Sequence, residues 1–395
     1  MASRVERGAP AAAPQDPAQP RRRSYADPRR WVAEDPQSQA DRAAGLTAAA
    51  RRRWGRRVTA TVLLAVAVVV MALVALTVGT IQMSPIDILR WAAGQADALD
   101  PTGAYVVGSI RAPRVLMALV TGVALGMSGV VLQNLLRNPL AEPYTLGISS
   151  GASFGAAIGI VFGSRIWGPE FIAQGQALIS ISAFVCGSVA MATVLLIGRW
   201  AGGSVTILLL AGVAVGSLFS AGLASLKYIS NEAALRDLML WLMGGFWGAS
   251  WRSVAILGPV VLVATVFIYR YATALNAVAL GDDLARTMGV DVKRTTRVCV
   301  VLCTLIASVC IAFSGIIGFV GLVAPHITRM LVGLDNRVLI PAAAFSGALL
   351  LLVADTLARN VFSPLEIPVG IITSLIGAPF FIHLLLSSRS AGWRS

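Results

Sequence analysis

A chain of 395 residues that is 56% hydrophobic and only 13% charged lies far from a soluble domain, where about a quarter of residues carry charge. The formal net charge of +13 invites a nucleic-acid reading, but residues 1–57 alone hold thirteen Arg against six Asp and Glu. The other basic residues are scattered around long apolar runs, so the charge describes membrane topology and excludes nucleic acid as a partner.

The stretch 1–57 is rich in Ala, Pro, Arg and Asp and poor in large apolar residues, so it is expected to be a disordered basic tail. Its last residues, RRRWGRR at 51–57, directly precede the first apolar run and fix that end on the cytoplasmic side. The run itself, 58–84, begins too late and is too long for a cleaved signal sequence. A span needs about 20 apolar residues. Uncharged runs of that kind follow at 115–136, 143–164, 171–198 and 201–226, with shorter ones at 253–269 and 338–354 and a full one at 367–388. The run 298–328 has 31 residues, too many for one crossing at about 1.5 Å per residue. Gly315, Gly318, Gly321 and Pro325 divide it into a span ending near Ser314, a Gly-rich turn and a helix over 320–333. The sum is about ten crossings, which puts both termini in the cytoplasm and leaves 389–395 as a short tail. The fold class is therefore an all-α polytopic membrane protein. The segment 238–251 (LMLWLMGGFWGASW) is too short to cross, and its Trp residues suit an interfacial position on the outer face.

Gly151, Gly155, Gly159 and Gly163 recur at every fourth position, as do Gly122 with Gly126 and Gly212 with Gly216. That spacing lets helix backbones approach closely in lipid, where apolar burial supplies no drive, and predicts a tight bundle. Catalytic constellations are nearly absent, so an enzyme is not expected. Cys186, Cys299, Cys303 and Cys310 have no His or carboxylate beside them and read as small apolar filler, with no metal site. His326 and His383 are far apart and read as structural. Neither Lys lies in a G-x-x-x-x-G-K-[ST] context, so any ATP and Mg would sit on another chain. Glu142 lies in a loop between two prolines, and Asp355 precedes Arg359 by four residues, the spacing of a same-face ion pair; neither is expected deep in the bilayer. An ion-coupled secondary carrier, which needs buried ionisable residues or broken midplane helices, is the competing class.

One charged interruption stands out, residues 281–297 (GDDLARTMGVDVKRTTR). Asp282 and Asp283 suit the positive end of a helix dipole, Gly289 supplies a left-handed C-cap, and Lys293, Arg294 and Arg297 mark the cytoplasmic side. A capped helix held at the membrane surface by two spans is suited to receive force from another protein.

With RAPR at 111–114, QNLLRNPLAEPYTLG at 133–147, the 281–290 segment, GIIGFVGLVAPHITR at 315–329, ADTLAR at 354–359 and EIPVGIITSLIGAP at 366–379, the chain resembles the FecCD-type permeases, membrane subunits of ABC importers for ferric siderophores, haem and cobalamin. The resemblance covers about 58–388. It implies a type II ABC importer permease-like bundle in a bacterial cytoplasmic membrane. Two permease subunits, alike or paralogous, would pair, with two ATPase subunits on one side and an extracytoplasmic substrate-binding protein on the other. It implies that 281–290 is the coupling helix, carried by Asp282, Asp283, Leu284, Ala285, Arg286, Met288 and Gly289. Against the family pattern E-A-A-x-x-x-G, Asp283 and Leu284 replace the Glu and the first Ala. It further implies that Arg111, Arg114 and Arg359 receive acids of the binding protein. Candidate gate and pathway residues are Asn138, Pro139, Leu140, Ser204, Thr206, Gly212 and Gly216. Ferric siderophore ranks first among cargoes, then haem, then cobalamin, on family frequency and not on any residue.

Overall fold

The computed structural model describes residues 36–79, 81–167, 175–201 and 205–392. Their regular structure is entirely helical, and the chain divides into two compact units, 1–54 and 55–395. The first helix, α1, runs Pro36–Thr77, so residues 36–57 are helical where disorder was expected. Ala and Arg dominate that stretch; a shortage of large apolar side chains argues against a core but not against a helix. Residues 1–35 and 393–395 lie outside the described residues.

Beyond α1 come α2 (Pro85–Ala92) and a short lead-in, Pro101–Tyr105, that widens into a π-turn over Val106–Arg111. The π-turn abuts Pro113, whose missing N–H disturbs the regular ladder one turn back. Then follow α3 (Ala112–Leu135), α4 (Ile148–Trp167), α5 (Gln176–Trp200), α6 (Val205–Ile229), α7 (Glu232–Met243) and α8 (Trp251–Arg270). The remainder is α9 (Ala272–Ala279), α10 (Asp282–Thr287), α11 (Val292–Ser314), α12 (Val320–Val332), α13 (Asn336–Asn360) and α14 (Val369–Gly392). Among the described residues seven helices are long and apolar enough to cross a membrane, and three shorter apolar ones, Ile148–Gly163, Val320–Val332 and Val369–Leu384, bring the set to the expected ten.

Two boundaries differ from expectation. Helix α4 starts at Ile148, not at 143, because Pro143–Leu146 form a 3₁₀ turn and Gly147 takes φ +82°. Of the 238–251 segment only the first six residues are helical, as the end of α7; residues 244–250 are a loop and Trp251 opens α8. Helix α7 begins at Glu232, with Asn231 Oδ1 accepting from the Ala234 N–H at 2.8 Å, and stops at Gly244, φ +67°. An apolar scan misses its first turns because they read EAALRD.

The glycine rows do what their spacing implies. Along α3, Gly122 and Gly126 lie backbone to backbone on Ala343, Gly347 and Ala348 of α13. Along α4, Gly151, Gly155 and Gly159 meet Cys186, Ser182 and Ile179 of α5. Side chains as small as Cβ would collide with main chain there, so van der Waals contact between backbones joins these pairs. Cys299, Cys303 and Cys310 are buried on α11.

Candidate coupling, rim and gating sites

At one end of the bundle, α9 and α10 form an elbow between α8 and α11. Gly281, φ +126°, turns the chain into α10, whose first turn carries Asp282 and Asp283. Gly289, φ +80°, ends it; the Gly289 N–H donates to Arg286 O at 2.9 Å and the Val290 N–H to Ala285 O at 3.0 Å, satisfying carbonyls a helix end leaves open. Ala285 is fully buried and seats the helix, whereas Leu284 and Met288 are 48% and 61% exposed. These two apolar side chains are held outward on a capped helix and take no part in a core. Asp283 and Arg286 pair with each other across one turn.

The elbow is tied to the bundle by a polar knot. Asn276 of α9 donates to Asp335 Oδ1 at 2.8 Å and accepts from the Asn336 N–H at 2.8 Å, and Asn134 of α3 donates to Asn336 Oδ1 at 2.6 Å. The Arg337 guanidinium hydrogen-bonded to Asp335, helped by Asn276, draws that carboxyl down to about 2. Arg137, at φ +46°, pairs with Asp282 and also donates to Val278 O at 3.3 Å. Sequence reasoning missed Arg137, which lay in a quoted motif but had no assigned partner; a cation directly beside the Asn138-Pro139 turn was the available signal.

The three arginines expected to face a binding protein are turned inward at the opposite end. Arg111 is 5% exposed and donates to Leu76 O at 2.7 Å, Thr77 O at 3.2 Å and Ile81 O at 2.6 Å, capping the open carbonyls of α1. Arg114 is 7% exposed, with Nε on Asp355 Oδ1 at 2.9 Å and Nη1 on Glu366 Oε2 at 2.8 Å. Arg359 reaches Asp355 Oδ2 at 3.2 Å and Ala75 O at 3.1 Å. The i,i+4 pair read from ADTLAR is therefore present, and Asp355 is buried within the protein because two guanidiniums neutralise it. The cations read as surface receptors are an internal clamp joining α1, α3 and α13, and the acid it shows to solvent is Glu366.

Asn138, Pro139 and Leu140 form the turn after α3, closed by Leu140 N–H on Asn138 Oδ1 at 2.9 Å and Asn138 N–H on Gln133 O at 3.1 Å. Thr206 is exposed in the first turn of α6, while Ser204 lies outside the described residues. Gly212 and Gly216 are buried against the Gly147 turn. Beside them opens a cleft of about 410 Å³ walled by Tyr144, Ser150, Val213, Ser217 and Ser220, a hydroxyl-lined surface on an otherwise apolar helix pair. Glu142 lies in the loop between its two prolines, as expected, with its Oε2 closed off from solvent and the backbone N–H of Phe319 bonding the carboxyl. Among the described residues no cluster of His, Cys, Asp and Glu could hold a metal ion.

Sequence and fold are both shared with known proteins. The FecCD transport family model matches residues 65–387. The hemin transport system permease of Yersinia pestis is 39% identical over 71% of this chain and 83% of that protein. The ferric citrate import permease YfmE of Bacillus subtilis is 33% identical over 85% and 96%, and the vitamin B12 import permease BtuC of Salmonella paratyphi A 37% over 76% and 89%. A solved structure assigned to the metal-chelate type of ABC transporter, in an inward-facing conformation, superposes with TM-score 0.72 at 31% identity over 83% of this chain and 98% of that one. The chain belongs to the FecCD transport family of ABC-importer permeases.

Proposed function

We propose that this chain is the membrane-spanning subunit through which an ATP-driven importer passes a metal chelate, with a ferric siderophore ranked first, haem second and cobalamin third. The observation that carries the reading is α10, a capped surface helix that buries only Ala285 and presents Leu284 and Met288. Such a helix fits an apolar cleft on an ATPase, where ATP and Mg would be bound. Asp282, Asp283 and Arg286 would border that contact, and Gly289 would fix its end. Both termini would be cytoplasmic and a second permease subunit, alike or paralogous, would complete the path. The hydroxyl-lined cleft beside Gly212 and Gly216 would form part of its wall, and Asn138, Pro139, Leu140 and Thr206 would border its inner end. A binding protein would dock at the opposite end, against the rim that Arg111, Arg114 and Arg359 hold in shape.

An ion-coupled carrier would use a buried acid and a broken helix, and the interruption at 315–319 is of that kind. Asp355 is a poor ion site, however, since Arg114 and Arg359 already neutralise it. Vesicles carrying the chain with its cognate ATPase and binding protein separate the readings. Uptake of a labelled ferric siderophore, with haem and cobalamin as competitors, should require ATP and the loaded binding protein. Uptake driven by a proton or sodium gradient without ATP would replace this reading with the carrier.

A further inference from the structure

Two interruptions of the bundle meet in its interior. One is the connection 136–147, which contains the Asn138-Pro139-Leu140 turn. The other is the break 315–319 between α11 and α12, where Gly315 and the non-glycine Phe319 both take positive φ, +65° and +67°. Three contacts join them. The Phe319 N–H bonds the Glu142 carboxyl, the Ile317 backbone amide faces the Tyr144 hydroxyl, and Gln133 Nε2 donates to Gly321 O at 3.1 Å. Packing is close: a Cβ on Gly321 would lie 3.4 Å from Glu142 Cβ and 3.5 Å from Pro143 Cδ. The same break is tied on its other side to the segment after α7, by the Gly245 N–H on Ser314 O at 2.8 Å. Arg137, at the start of the 136–147 connection, holds Asp282 of α10. The connection is thus pinned at two points, to the coupling helix by Arg137 and to the helix break by Glu142.

We propose that Glu142 is the positioning residue that seats the gate turn 138–140 against the helix break, and that unseating the turn carries this carboxyl into water and releases its proton. The assignment of the turn as a gate rests on the importer reading; the seating itself rests on the contacts above. Phe319 precedes the first turn of α12, whose N–H groups lack helical partners and favour an acidic acceptor. Burial, opposed by the Phe319 N–H, pushes the Glu142 carboxyl up to about 7. The titratable groups facing the junction are Tyr144 on the same connection and Cys310 on α11, and Gln133 from α3 is neutral. The seated form therefore keeps its proton to about pH 7, whereas a hydrated glutamate loses it near the ordinary 4.5. Between those values the seated form binds more protons, so rising pH favours release. At tenfold per unit the ratio of released to seated turn changes roughly 300-fold across the window.

The test uses the full-length chain in lipid nanodiscs, with no cargo or ATPase. Infrared titration should show a protonated-carboxyl band lost with a midpoint near 7 and missing from Glu142→Gln. A nitroxide on Leu140→Cys, in a Cys186→Ser background, should become more mobile as pH rises from about 4.5 to 7 with Glu142 present and stay constant with Glu142→Gln. A band unchanged by Glu142→Gln, or a nitroxide that loosens equally in both proteins, would overturn the proposal. If Glu142→Gln does not fold, the wild-type titration decides, and a chain with no carboxyl titrating above about pH 6 refutes it. Seating that responds to pH in a chain that imports nothing would leave the pin standing and remove the importer reading. ATP-driven import with a pH-insensitive turn would do the reverse.

Discussion

Replacing Asp355 tests whether the buried arginines are a clamp or a receptor. The Asp355 side chain is 1% exposed, between Arg114 at 9% and Arg359 at 8%. Asp355→Asn removes the one anion that both guanidiniums share. Arg114 would keep Glu366 at 2.8 Å and Arg359 would keep the Ala75 carbonyl at 3.1 Å, so neither is left wholly bare. Breaking a buried pair costs about 3–5 kcal/mol, and the surviving partners place the loss near the lower end, about 3 kcal/mol. Arg114→Met should cost less, about 2 kcal/mol, because Asp355 keeps Arg359 and the half-exposed Glu366 can turn to water. The double variant should be more stable than additivity predicts, with a coupling of about 1–2 kcal/mol. The assay is denaturant unfolding of the isolated chain in nanodiscs, followed by tryptophan fluorescence. A loss under about 1 kcal/mol for Asp355→Asn would refute the clamp, since surface pairs behave that way. So would a defect that shows only when a binding protein is added.

Other outcomes follow from the same contacts. Arg137→Ala and Asp282→Ala remove a half-exposed pair, so unfolding should shift by less than about 1 kcal/mol, while cargo-stimulated ATP hydrolysis in the reconstituted importer should fall severalfold. Gly151→Val should lose about 1–3 kcal/mol or more, because its Cβ would sit 2.6 Å from Ala190 Cβ and 2.7 Å from the Cys186 carbonyl. Gly258→Ala, with open space around it on α8, should be neutral or gain up to about 1 kcal/mol in the same unfolding assay. Asp335 is held down at about 2 by Arg337, so its contribution is present above the ordinary aspartate value and is lost as pH falls toward 2. That loss should stay below about 1 kcal/mol for so exposed a pair, and acid unfolding curves of wild type and Asp335→Asn should converge at low pH.

What was legible in the sequence was local. The ten apolar runs, the split of 298–328 at its glycines and the limits of α10 each depend on residues within a few positions of one another. The helix break at 315–319 was visible because Gly and Pro report on backbone directly. The internal partners of the arginines were not legible because they are remote: Arg114 meets Asp355 across 241 positions, and Arg359 meets Ala75 across 284. Without those partners an outer-side Arg looks like a free cation. The loop position of Glu142 was legible, but its burial was not, since nothing near it in sequence shows that its connection folds back onto Phe319. The carboxylate between two prolines in an otherwise apolar motif was the one local hint. In 36–57, composition was asked about packing when only helix propensity mattered.

The most direct test of an ATP-driven permease is uptake into vesicles at a fixed ion gradient, with and without ATP, using the wild-type chain and Leu284→Glu/Met288→Glu together with the cognate ATPase and binding protein. Charges on those two exposed positions of α10 leave its buried Ala285 seat intact. Uptake that depends on ATP and disappears in the variant, while the variant remains folded, is the predicted result. Uptake that proceeds without ATP, or survives both charges, would contradict it.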